Sequence, residues 1–241
     1  MKIGRILGID VYLHWTLILA IAYLLYDLKL SRGLQWDQVL IVFGFVFLIF
    51  ISVLLHEYGH ALMARYFGVF THDIIMTPIG GLARLERMPQ SPFQELMITI
   101  AGPAVNFVLG CLAAIYLLAT GGDFWLDNTQ LPNWSLLATV IFNLNFILFV
   151  FNLIPAFPMD GGRILRSGLA FFMSHSRATW LASFFGQICA AGLIGYGFVV
   201  KEYNLCIIGA FVFFAAQSEM KMQRRFKSWQ AKYVKASDPK P

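Results

Sequence analysis

The chain has 241 residues, of which 59% are hydrophobic and only 13% charged, and its mean hydropathy is +0.68. Soluble domains carry roughly 25% charged residues, so this composition excludes a large soluble core and points to a membrane protein. The formal net charge of +5 suits an anionic partner, and its placement in connectors and beside apolar runs favours lipid headgroups over nucleic acid, for which no motif is present.

A helix needs about 20 apolar residues to cross a bilayer. Six runs meet that need and are read as spans: residues 11–27, 38–67, 93–119, 135–160, 178–200 and 203–220. The fold class is therefore an all-α polytopic membrane protein of about six transmembrane helices. Residues 1–220 form its membrane domain and 221–241 a basic tail. Before the first run stand Lys2 and Arg5, and within it Ala20-Ile21-Ala22 looks like a signal-peptide cleavage site. The run continues through Tyr26 without a polar exit, so the span is expected to be retained. His14, beside Trp15, is read as structural.

The second run holds "FISVLLHEYGHALMARYFG" (Phe50 to Gly68), with three ionisable side chains in apolar surroundings. Such groups inside a bilayer are costly and functional by default. Residues 71–86 are more polar, and Pro78 and Gly80-Gly81 mark a turn between two short strands. An open edge of that hairpin could take an extended peptide as a further strand, or the hairpin could be a plain surface element. In the third run Gly102, Asn106 and Gly110 form a small-xxx-small row, read as a packing surface. The loop Thr120 to Asn133 carries no Lys or Arg. In the fourth run Asn143 and Asn145 are read as interhelical hydrogen-bond partners. Its end, "FNLIPAFPMDGGRILR" (Phe151 to Arg166), is broken by Pro155 and Pro158, and Gly161 and Gly162 permit conformations closed to other residues. Cys111, Cys189 and Cys206 sit in apolar runs without CxxC spacing and are read as buried hydrophobes.

The basic residues orient the spans. With both termini cytoplasmic, that side holds Lys2, Arg5, Arg65, Arg84, Arg87, Arg163, Arg166, Arg177 and the seven basic residues from Lys221 to Lys240, 15 of the 18 in all. Lys29, Arg32 and Lys201 fall outside. The protein is expected in a bacterial or archaeal cell membrane, with the HEYGH end of the second span nearer the cytoplasm.

HEYGH has H-E-x-x-H spacing. On a helix His56 and His60 share one face and can grip one Zn²⁺, and Glu57 beside them can take a proton from water. A catalytic zinc takes three protein ligands. Asp160 is the best candidate for the third, because a broken helix at membrane depth survives inside protein or beside a water-filled cavity. The alternative for Asp160 is a helix-end carboxylate at the interface.

HEYGH in one apolar span, with "NLIPAFPMDGG" (Asn152 to Gly162) in a later one, resembles the site-2 protease family of intramembrane zinc metalloproteases. "THDIIMTPIGGLARLE" (Thr71 to Glu86) is similar to that family's membrane-associated β-hairpin, and "AGPAVNF" (Ala101 to Phe107) to the segment opening its next span. The resemblance implies His56, His60 and Asp160 as ligands of one zinc, Glu57 as general base, and cleavage of a transmembrane protein or peptide. It also implies that Asn152 positions substrate or the developing oxyanion; interhelical hydrogen bonding is the other role open to it. Many family members carry a PDZ domain or a CBS pair; neither is recognised here. Two other classes compete. A metal-ion or proton transporter would also place polar groups near midplane, but no repeat relates the two halves. An inactive scaffold would not need Glu57.

Overall fold

The computed structural model describes residues 1–78, 80–86, 91–125 and 134–237, with the backbone alone for 134 and 223–237. Arg87, residues 126–133 of the predicted outer loop and Lys240 lie outside the described residues, as do the side chains of Arg224, Arg225, Lys227, Lys232 and Lys235. The chain forms two compact units, one of residues 1–90 and 97–150, the other of residues 91–96 and 151–241.

The first unit contains β1 (Lys2–Ile6), β2 (Ile9–Leu13), α1 (Trp15–Tyr26), α2 (Trp36–Tyr66), β3 (Thr71–Thr77) and β4 (Gly80–Leu85). It also takes most of α3 (Pro92–Thr120) and α4 (Trp134–Leu153). The predicted hairpin is present as β3 and β4, and it belongs to a four-stranded sheet in the order β1-β2-β3-β4. β1 and β2 pair antiparallel across Leu7 and Gly8, both at positive φ. β2 then runs parallel to β3, with Val11 opposite Ile74. Alternation buries one face: Ile9, Val11, Ile74 and Met76 pack with Leu17 of α1 and with Tyr58 and Ala61 of α2.

This sheet corrects the predicted first span. Residues 11–13 lie in β2, where a ladder to β3 satisfies their backbone groups, and α1 has only 12 residues, continued by a π-helical segment at Asp27–Ser31. His14 caps α1, its Nδ1 2.7 Å from Thr16 Oγ1. The parallel pairing also sets the path of the chain. α1 leaves from the end of β2 and α2 returns to the start of β3, so the end of α2 that carries HEYGH lies at the sheet. Among the described residues five helices are long and apolar enough to cross a membrane: Trp36–Tyr66, Pro92–Thr120, Ser135–Leu153, His175–Val199 and Tyr203–Met222. Large apolar side chains such as Phe47, Ile115, Ile147 and Phe185 stay exposed on them, as lipid contact permits.

The second unit contains α5 (Asp160–Ala170), α6 (His175–Val199) and α7 (Tyr203–Ser237). The fourth span stops at Leu153 and not at 160, because Pro155 and Pro158 cannot continue the helical ladder. A tight turn follows, with Ala156 N–H donating to Ile154 O at 2.7 Å and Met159 N–H to Ala156 O at 3.0 Å. Asp160 then opens a separate helix. Gly161 and Gly162 do not have positive φ. They are helical, and a Cβ on Gly161 would collide with the carbonyls of Leu153 and Ile154. Small residues also let α6 and α7 approach: a Cβ on Gly209 would stand 2.9 Å from the Ala190 carbonyl oxygen.

Arg166 is not a loop cation. Its side chain is 7% exposed and donates to Glu95, in the first turn of α3, and to Glu219 of α7 at 2.6 Å. His175 Nε2 lies 3.4 Å from the other Glu95 oxygen. Removing one partner of a buried ion cluster leaves charges without compensation, at a cost of about 3–5 kcal/mol. Arg166→Met is therefore expected to lower the unfolding midpoint in detergent well below wild type, and Glu95→Gln combined with Arg166→Met to recover part of the loss. Thermal unfolding checks it; an unchanged midpoint in the single variant refutes the cluster as a stabilising contact.

Candidate metal centre

α2 places its ionisable residues by helical repeat alone. His56 and His60, four positions apart, project from one face, with ring centroids 4.7 Å apart, ring planes at 85° and Nε2 atoms 3.0 Å apart. His56 is buried, and Glu57 and His60 are half-buried.

The Nδ1 atoms point away from the shared space. His60 Nδ1 lies 2.8 Å from the Ile98 carbonyl oxygen. A carbonyl only accepts, so that nitrogen carries the proton and Nε2 keeps its lone pair. His56 Nδ1 lies 2.6 Å from Asn106 Oδ1 on α3. With both rings so arranged, two lone pairs face each other at 3.0 Å, an approach that a shared cation relieves. Two nitrogens bound tetrahedrally to one zinc at about 2.0–2.1 Å stand roughly 3.3 Å apart. The donor set and its spacing fit zinc, with the partners that hold zinc-ligating imidazoles in register already in place.

Two glycines make room for this arrangement. A Cβ on Gly102 of α3 would collide with the His60 ring and stand 2.8 Å from His56 Nε2. The row read as a packing surface is thus split in function. Gly102 leaves space for the imidazoles, Asn106 holds His56, and at Gly110 an added Cβ would meet only the Cβ of Asn145, at an ordinary 3.9 Å. Asn106 is the functional residue that sequence reasoning missed; an amide in mid-span, one turn after a glycine, was the available signal. A Cβ on Gly81 of β4 would collide with the Glu57 side chain, so β4 lies directly against the carboxylate. β4 is the last strand of the sheet, and its outer edge has no strand partner among the described residues. The hairpin is tied across its strands by Arg84, which donates to Asp73 through Nε at 2.6 Å and through Nη2. That guanidinium holds the Asp73 carboxyl below the usual carboxylate range.

The structure brings His56, Glu57 and His60 together in the first unit. Asp160, buried at the first position of α5, and Asn152, half-buried in the last turn of α4, belong to the second unit. His72 is exposed in β3 and His175 starts α6 beside Glu95. Asn143 donates to the carbonyls of Phe124, in the loop before α4, and of Thr139, in its own helix, and not across helices as expected; Asn145, bonded to Asn106 of α3, does bridge two helices.

The sequence model of the family described as Peptidase family M50 matches residues 44–131 and 126–195. The chain is 34% identical over 242 residues to a zinc metalloprotease of Methanocaldococcus jannaschii, covering 99% of this chain and 67% of that one. It is 32% identical over 114 residues to stage IV sporulation protein FB of Bacillus subtilis, covering 47% of this chain and 36% of that one. The chain spans 43% and 58% of the length of two further relatives, from Synechocystis and Mycobacterium tuberculosis. Its structure is similar to that of the site-2 protease from Methanocaldococcus jannaschii, with TM-score 0.62 and 34% identity, covering 91% of this chain and 94% of that one.

Proposed function

The chain belongs to peptidase family M50 and is an integral membrane metalloprotease of the site-2 protease type, and from that premise we propose that His56, His60 and Asp160 hold its zinc while Glu57 moves the proton. The observation that carries this is the convergence of the two imidazole Nε2 atoms at 3.0 Å with both Nδ1 atoms engaged elsewhere. A buried carboxylate at the start of α5 supplies the third donor that a catalytic zinc requires. Zinc bound there supplies Lewis acidity, bringing the pKa of a water toward 7 and polarising a peptide carbonyl. Glu57 takes a proton from the attacking water and returns it to the amine nitrogen as the C–N bond breaks. Asn152 donates to the oxygen on which charge develops. A transporter using the same polar site finds no support among relatives named zinc metalloproteases.

Glu57→Gln is expected to keep zinc and lose activity by roughly 10²–10⁴-fold, the usual contribution of a positioned base. His56→Ala, His60→Ala and Asp160→Ala are each expected to lower bound zinc. Metal analysis and peptide cleavage in detergent decide between base and ligand: turnover near wild type in Glu57→Gln removes the base, and full zinc in Asp160→Ala moves the third ligand elsewhere.

The substrate is a transmembrane segment of another protein, and β4 guides it. A substrate helix hides its carbonyls in internal hydrogen bonds and must unwind to be cut. The open edge of β4, against Glu57, offers the backbone groups that an unwound segment needs. β3 pairs on both sides, with β2 and β4, so it offers no edge. Neighbouring residues of a strand point their N–H groups to opposite edges, so Leu82→Pro and Ala83→Pro separate the two functions. The variant that loses the outward N–H is expected to keep its zinc and lose roughly two- to tenfold in kcat/KM, the worth of about one hydrogen bond. Wild-type cleavage by both variants, each folded and loaded, would remove β4 as the guide.

Both termini face the cytoplasm. α1 leaves the sheet and α2 returns to it, so α1, extended by the π-helical turn, counts as a crossing beside the five long helices, and six crossings together with the bias of basic residues support termini on one side. A cysteine placed in the tail is expected to resist a membrane-impermeant thiol reagent in intact cells, and to react after permeabilisation. Labelling without permeabilisation reverses the topology.

A further inference from the structure

A line of polar side chains runs through the apolar helices of the first unit and ends on His56. His56 Nδ1 lies 2.6 Å from Asn106 Oδ1. Asn106 Nδ2 donates to Asn145 Oδ1 at 2.9 Å. Asn145 Nδ2 donates to the Ile141 carbonyl oxygen at 2.9 Å and to Ser52 Oγ at 3.3 Å. Asn106 and Asn145 are completely buried.

A carboxamide can face a partner with its oxygen or with its NH₂, and a neutral imidazole can protonate either nitrogen. Taken singly, none of these groups has a defined sense. The line acquires one because its far end is a backbone carbonyl, which only accepts. Asn145 must turn its NH₂ to Ile141, which leaves its oxygen facing Asn106. Asn106 must then turn its NH₂ to Asn145, which leaves its oxygen facing His56. The His56 Nδ1 must carry the proton, and Nε2 keeps the lone pair. Reversing any member sets donor against donor or acceptor against acceptor at its contact with the next.

We propose that Asn145 and Asn106 are positioning residues that relay the acceptor character of the Ile141 carbonyl to His56 and so hold its Nε2 as a metal donor. His60 receives the same instruction directly from the Ile98 carbonyl. The importance of this for metal binding rests on His56 being a zinc ligand, whereas the tautomer itself does not.

The test uses the full chain in detergent, metal-free and zinc-loaded, as wild type, Asn145→Leu and Asn145→Asp. Nitrogen-15 NMR of labelled histidines, at a pH where the ring is neutral, distinguishes the two tautomers in metal-free protein. Wild type is expected to show His56 protonated at Nδ1. Asn145→Leu frees the Asn106 amide to turn, so a substantial Nε2-protonated population is expected. Zinc affinity by chelator competition should then weaken roughly 10–100-fold, as for lost partners of other metal-ligating histidines. In Asn145→Asp a neutral carboxyl can donate to Ile141 and still accept from Asn106, so the wild-type tautomer and affinity should return. A folded Asn145→Leu protein with wild-type tautomer and wild-type affinity overturns the relay. If Asn145→Leu does not fold, Asn106→Ala is scored by the same two readouts. Zinc binding that is unchanged in His56→Ala refutes the ligand assignment, and the tautomer measurement still decides the relay.

Discussion

A histidine buried among apolar helices must find its hydrogen-bond partners within the protein, and the architecture of the first unit follows from how His56 and His60 obtain theirs. Each ring has two nitrogens to satisfy. One on each is engaged within the unit, by the Ile98 carbonyl and by the Asn106 side chain. The other two face each other. Both partners lie on α3, which must therefore pass α2 closely, and the missing side chain at Gly102 permits that approach. Gly59 serves the same crossing from α2, since a Cβ there would lie 2.6 Å from the Ala101 carbonyl oxygen. Close packing of two spans and orientation of the two imidazoles are thus one constraint seen from two sides.

The sheet answers a different need. Backbone that is not helical must find its partners in a ladder, and β2 gives β3 an inner neighbour while β4 remains at the edge. Burial of Ile9, Val11, Ile74 and Met76 against Tyr58 and Ala61 fixes the sheet on the helix that carries the histidines. Tyr58 adds a hydrogen bond to the Ile6 carbonyl at 3.0 Å, and Arg65 one to the Leu7 carbonyl at 2.7 Å. The contact of Gly81 with Glu57 follows from this fixing, so the strand edge and the carboxylate hold a constant relation.

In the second unit the costly groups are full charges. Glu95, Arg166, Glu219 and His175 come from the first turn of α3, from α5, from α7 and from the start of α6. Their mutual hydrogen bonds let three helices and the start of a fourth share one polar core, while small residues elsewhere let α6 and α7 pack through contact alone.

What the sequence determined by itself is what local chemistry decides. Five spans are legible because apolar length is a property of composition. The sharing of a face by His56 and His60 is legible because helical repeat guarantees it. The β3–β4 hairpin and the break after Leu153 are legible because Pro restricts the backbone and Gly frees it where they stand. Tertiary structure decided the rest. β2 was masked where it runs into the predicted first span, although Ile9, Val11 and Leu13 alternate, because this strand is stabilised by a partner strand about 60 residues away and not by its own turns. Arg166 resembled any loop cation until the fold brought it to Glu95, 71 positions back along the chain. Asn106 resembled a packing residue and Asn145 a hydrogen-bond partner without a direction, since an amide has no direction until a neighbour imposes one. That neighbour, the Ile141 carbonyl, has the same chemistry as every other carbonyl in the chain, and only its place in the folded helix makes it decisive.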